Sequence, residues 1–133
     1  MVQQDNAHQP SIYERIGGET AVRKLTHRFY ELMHTLPEAK ACRAIHPPST
    51  AGSEQKLFEY LTGWLGGPPL YVERYGAPML RRRHFVAPIG AAEHDGCVLC
   101  FEAALAESDL DEALREAIRV PVIRLAAHMQ NKT

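Results

Sequence analysis

The sequence predicts an all-α fold, and three observations predict it. Apolar residues recur at three- and four-residue intervals over most of the chain. Clusters such as Gly17-Gly18, Pro47-Pro48 and Gly66-Gly67-Pro68-Pro69 interrupt those stretches where helices must end. Nothing shows the period-two alternation of a half-buried strand, and neither an internal repeat nor a low-complexity tract occurs.

The elements follow in order. Residues 1–10 are polar and read as a loose N-terminal segment. Ser11-Ile12-Tyr13-Glu14 is a capping box, in which serine and glutamate satisfy helix-end N–H groups, and Gly17-Gly18 closes that short first helix. Val22, Leu25, Phe29, Leu32 and Met33 mark an amphipathic helix over 19–33, with Arg23, Lys24 and His27 on its other face. A short helix starts near Thr35-Leu36-Pro37-Glu38, with proline in its first turn, and stops at His46-Pro47-Pro48. Leu57, Phe58, Leu61, Trp64 and Leu65 give the clearest helix, over 51–65. A turn or so over 71–75 follows, and Pro78 restarts a short basic helix through Leu80-Arg81-Arg82-Arg83-His84. Cys97, Cys100, Phe101, Ala104 and Leu105 stripe a helix over 91–107. Leu114, Ile118, Val122, Leu125 and Met129 stripe the last, over 110–129, where Pro121 removes a backbone bond and should kink it.

The 133 residues, 45% of them hydrophobic, suffice for one domain with a core and a small-molecule pocket. Fifteen Lys and Arg against 16 Asp and Glu leave a net charge of -1, so no basic field draws the chain onto nucleic acid or an anionic membrane. No apolar run approaches the roughly 18 residues of a membrane span and no signal core opens the chain, which makes a cytoplasmic protein the expectation. Three cysteines, an odd count without framework spacing, argue against a disulfide-stapled secreted domain and suit a reducing compartment.

Seven histidines are the unusual feature. Zinc-protease, P-loop, dinucleotide and nucleophile-elbow motifs are all absent. His27, His34, His94 and His128 sit beside polar neighbours in helical stretches and read as surface or rim residues. His84 follows three arginines, which disfavour its charged form and leave a neutral ring able to ligate a metal. The same arginines suit a carboxylate-bearing ligand. On composition alone, a solvated basic helix end with an incidental histidine is the better account of these residues. Tyr30, beside Phe29 on an apolar seam, and His46, at a bend, are possible polar contacts or simply a core tyrosine and a helix-end histidine. Cys97 and Cys100, three apart, read first as small apolar residues.

Taken together, Tyr13-Glu14-Arg15-Ile16-Gly17-Gly18, Phe29-Tyr30, Ile45-His46-Pro47, Leu61-Thr62-Gly63-Trp64-Leu65-Gly66-Gly67-Pro68, Gly76-Ala77-Pro78-Met79-Leu80-Arg81-Arg82-Arg83-His84 and Pro88-Ile89-Gly90 resemble the group II truncated haemoglobins. The resemblance runs over 11–131, leaving a short tail at 132–133. It implies a two-over-two helical sandwich enclosing haem b, with His84 as the proximal iron ligand. Tyr30 and His46 would face the ligand, with Ser53 and Leu57 lining that side. Lys56 and Arg83 would meet the propionates, and Trp64 and Tyr71 would pack at the haem edge.

Three positions depart from that family, His94, Cys97 and Pro121, the last bearing on packing more than on chemistry. The family's usual arginine is His94 here, and its hallmark distal tryptophan is Cys97. A thiol is smaller and a weaker donor, which predicts a roomier pocket and faster gas release, or a thiolate that ligates ferric iron or reacts with nitric oxide. The resemblance implies reversible binding of dioxygen, carbon monoxide or nitric oxide by a monomer or homodimer. The alternative is a redox enzyme, a nitric oxide dioxygenase or a peroxidase-like protein, served by an external reductase because no flavin or nicotinamide site occurs in the chain.

Overall fold

A computed structural model describes residues 10–77 and 89–129 of the chain. The described residues form seven α-helices and one 3₁₀ turn, with no strand among them. They are α1 (Ile12–Ile16), α2 (Gly18–Thr35), the 3₁₀ turn Pro37–Ala39, α3 (Lys40–Ala44), α4 (Ala51–Trp64), α5 (Leu70–Tyr75), α6 (Ala91–Ala106) and α7 (Glu112–Met129). The all-α expectation is met.

Local chemistry accounts for most of the boundaries. At α1 the capping box forms as its residues predict: the Ser11 N–H donates to Glu14 Oε1 (3.1 Å) and the Glu14 N–H to Ser11 Oγ (3.2 Å). The predicted short helix near Pro37 divides in two, because the proline opens a 3₁₀ turn before α-geometry sets in at Lys40. Pro121 lies inside α7 without ending it. The basic helix expected after Pro78, with His84, lies outside the described residues.

Two helix pairs carry the architecture. Helix α2 packs on α4, α6 packs on α7, and α2 meets α6 in the largest contact between them. The apolar stripe read from α2 is the centre of this arrangement: Val22, Leu25, Phe29, Leu32 and Met33 are all buried, against Phe58 and Leu61 of α4, Phe101, Ala104 and Leu105 of α6, and Ile118 of α7. Each fully buried side chain of this size contributes about 1.5–3 kcal/mol before the cost of ordering it.

Two glycines set the spacing of the smaller elements. A Cβ at Gly67 would meet the Tyr13 ring at 2.8 Å, so its absence lets α1 lie on the end of α4, where the Tyr13 N–H donates to the Leu65 carbonyl (2.9 Å). A Cβ at Gly96 would meet Cys42 Cβ and the Glu38 carbonyl, each at 3.2 Å. Its absence brings α3 close against α6.

Candidate functional site

Helix α2 delivers Tyr30 to one corner of the core. The Tyr30 ring is 6% exposed, stands edge-on to Phe29 with centroids 4.9 Å apart, and faces His46 edge-on at 6.0 Å. Its hydroxyl bonds to no described residue. Burial, with the Glu54 carboxylate adding to it, pushes the phenol's pKa well above the ordinary tyrosine value. Tyr30 is therefore a protonated donor with no partner among the described residues.

His46 sits just after α3, in a turn that prolines keep from continuing as helix. Its Nδ1–H donates to the Cys42 carbonyl at 2.8 Å. Arg43 holds the same turn, donating to the carbonyls of His46 (3.4 Å), Pro47 (3.0 Å) and Pro48 (2.7 Å). The guanidinium also donates to His34 Nδ1 (3.1 Å), which leaves His34 Nε2–H to donate to Thr50 Oγ1 (2.9 Å). Sequence reasoning missed Arg43. The available signal was a cation at a short helix's C-terminus just before His46-Pro47-Pro48, where carbonyls lack helical partners.

The cysteines require a correction. Cys42 of α3 and Cys97 of α6 form a disulfide, with Cα atoms 5.6 Å apart. Neither the count of three nor a separation of 55 residues suggests this pair; the close approach of α3 at Gly96 creates it. Cys97 at the tryptophan position is thus a bonded sulfur. It has no thiol to offer a ligand and no thiolate to offer iron while the bond stands. Cys100 remains free and buried, as expected of a small apolar residue, and burial together with Glu38 pushes its thiol up to about 11.

A second group of candidate residues lies on α4 and α5. Ser53 and Leu57, one helical turn apart on α4, are half-buried. Tyr71 is buried, with ring centroids 6.0 Å from Tyr60 and 4.7 Å from Tyr75. Lys56 is exposed, its Nζ 5.5 Å from the Tyr75 ring centroid, and it pairs with no described carboxylate. Trp64, 38% exposed, lies at the surface end of the same helix. Beneath this group Glu59 is buried. Its Oε2 accepts from Arg74 Nη1 (3.2 Å) and Gln55 Nε2 (3.2 Å), while Oε1 is enclosed without a partner among the described residues.

The remaining histidines divide. His27 and His34 are exposed, as expected. His94 is half-buried, with Nδ1 3.0 Å from Asp95 Oδ1 and Nε2 enclosed without a partner among the described residues. His128 lies in α7. His84 and Arg83, the expected iron ligand and propionate cation, lie outside the described residues.

Comparison with known proteins decides the family. The family described as bacterial-like globin matches residues 11–131. The chain belongs to the group II truncated haemoglobins. It is 36% identical to the group 2 truncated haemoglobin YjbI of Bacillus subtilis over 121 residues, 91% of this chain and 89% of that one. It is similar to the group II 2-on-2 haemoglobin of Agrobacterium tumefaciens, at 61% identity and a TM-score of 0.93, over 96% of this chain and 98% of that one. It is also similar to a truncated oxygen-avid haemoglobin of Bacillus subtilis, at 35% identity and a TM-score of 0.82, over 91% and 99% of the two chains. A truncated haemoglobin binds haem, and the residues present fit one. The Tyr30 phenol offers an unused donor beside an imidazole, and Lys56 offers a cation unpaired among the described residues beside an aromatic cluster, matching a gas ligand and a carboxylate-bearing porphyrin edge.

Proposed function

We propose that the chain holds haem b through His84 and reversibly binds dioxygen, or a related diatomic gas such as carbon monoxide or nitric oxide, beside Tyr30. When bound, haem supplies the iron centre to which the gas attaches. The chain supplies the environment. The observation that carries the reading is Tyr30, a buried residue whose protonated hydroxyl has no partner among the described residues and whose ring centroid stands 6.0 Å from that of His46.

A gas that takes on negative charge accepts hydrogen bonds, and charge-assisted bonds are worth roughly 1.5–3 kcal/mol each. One such bond from Tyr30 slows release by about 10- to 100-fold. His46, held through Cys42 and the Arg43-bound turn, is the second contact. Ser53 and Leu57 shape the space beside them. Lys56 and Arg83 pair with the haem carboxylates, and Leu57, Trp64 and Tyr71 cover the porphyrin edge. The family relationship supports this reading, as does the oxygen avidity named for the Bacillus subtilis relative. Oxygen transport in the cytoplasm, with an external reductase keeping the iron ferrous, is the role that follows from this reading.

Absorption spectra of the haem-loaded protein, with and without carbon monoxide, test the proposal. A Soret band that shifts on adding the gas is expected, and His84→Ala should abolish or alter that ligation. Absence of a Soret band after haem loading would refute the reading, and an unchanged spectrum in His84→Ala would refute the choice of ligand.

A further inference from the structure

The Cys42–Cys97 disulfide joins two features that the gas-binding reading leaves unconnected. Cys97 stands at the position where the family's distal tryptophan is expected. Cys42 precedes Arg43, the residue that grips the His46 turn, and its own carbonyl accepts the His46 Nδ1–H bond at 2.8 Å. Helix α3 is only five residues long, too short to hold its position by its own hydrogen bonds. Its place against α6 rests on the close approach at Gly96 and on this covalent link. His46 is thus one hydrogen bond away from a bond whose existence depends on the redox state of two sulfurs.

We infer that the Cys42–Cys97 pair is a thiol–disulfide switch that sets the ligand side of the pocket: closed, it fixes the His46 turn against α6, and open, it releases that turn and speeds gas release. The inference rests on the gas-binding reading for its consequence, though not for the switch itself. The two sulfurs differ in access, since Cys42 has no exposed surface and Cys97 is partly exposed, so exchange begins at Cys97. On closing, the Cys97 thiolate attacks a low-molecular-weight disulfide, breaking its S–S bond and releasing one small thiol. The Cys42 thiolate then attacks the Cys97 sulfur of the mixed disulfide, forming the internal bond and releasing a second small thiol. Two cysteine protons and two electrons end on the two small thiols, and a small dithiol runs the sequence backwards. Cys100 stays out of the exchange: it is unpaired while Cys42 lies in bonding distance of Cys97, and its thiol, pushed up to about 11, yields almost no thiolate at neutral pH.

The test uses the full chain equilibrated with oxidised glutathione or with dithiothreitol, then denatured and alkylated for a thiol count by mass spectrometry. The oxidised sample should show one free thiol, mapped to Cys100, and the reduced sample three. Three thiols in both, or a pairing that includes Cys100, would overturn the switch. Amide hydrogen exchange over residues 42–50, measured on the haem-free chain, should quicken on reduction, and equal exchange would overturn the mechanical link whatever becomes of haem. In the haem-loaded protein, dioxygen release should be about tenfold faster after reduction, the loss of roughly one hydrogen bond. Cys42→Ser and Cys97→Ser should be locked at the fast rate, while Cys100→Ser keeps the response. Equal rates in samples whose thiol counts differ would contradict the switch, whereas a missing Soret band would contradict only the haem reading.

Discussion

The two ends of the candidate site are held by different means. The corner around His46 is fixed by directional bonds: a disulfide to α6, an imidazole on a carbonyl, and one guanidinium spread over three carbonyls and a second imidazole. The α4–α5 seam around Tyr71 is fixed by packing, with three tyrosine rings in contact over a buried carboxylate and Gly67 lying flat on Tyr13. The difference teaches how each region should yield. Directional bonds fail one at a time and move a particular turn, whereas a packed seam resists small losses and fails on added volume.

The largest effect belongs to the disulfide. Closing a loop of 55 residues restricts the unfolded chain, by about 4 kcal/mol in the chain-entropy account. Denaturant unfolding with and without a reductant should show a loss of that order, and equal midpoints would mean that the bond contributes nothing to the corner. Next comes Gly67→Val, which drives a branched side chain into the Tyr13 ring and should cost about 3 kcal/mol in thermal unfolding, the upper range of overpacking. A smaller loss would show that α1 moves aside cheaply. Arg43→Ala should cost about 1–2 kcal/mol, because the carbonyls that it satisfies are near solvent, and it should raise amide exchange around His46 while leaving the seam unchanged. The smallest effect separates the two members of the Arg74–Glu59 pair. Arg74→Ala strips a partner from a buried carboxylate and should cost about 1 kcal/mol, discounted because Arg74 is itself exposed, whereas Glu59→Gln removes the charge and should cost less. The reverse order in chemical denaturation would contradict this account of Glu59.

The two regions were also unequally legible in the sequence. The seam and the core announced themselves: the α2 stripe from Val22 to Met33 is buried as its period requires, and Gly66-Gly67-Pro68-Pro69 ends α4. Helical period and helix stops are local properties, so local reasoning recovers them. Tyr30, beside Phe29 on an apolar seam, and His46, at a bend, stand out in the sequence itself, and their rings do face each other. What holds His46 was not legible. The Cys42–Cys97 bond and the His34–Thr50 contact depend on which helices touch, and the small side of α6 at Gly96 acquires its meaning only once α3 lies on it. Glu59 was invisible for a related reason: a glutamate on a helix reads as solvated until its neighbours enclose it.

The central claim is that a Tyr30 hydroxyl with no described protein partner exists to hold a bound gas. The most direct measurement pairs the dioxygen release rate of the haem-loaded Tyr30→Phe variant with its unfolding free energy. Release should be faster by roughly 10- to 100-fold while stability changes by less than about 0.5 kcal/mol, since no internal bond to a described residue is lost. An unchanged release rate, or a large loss of stability without a change in release, would contradict the account.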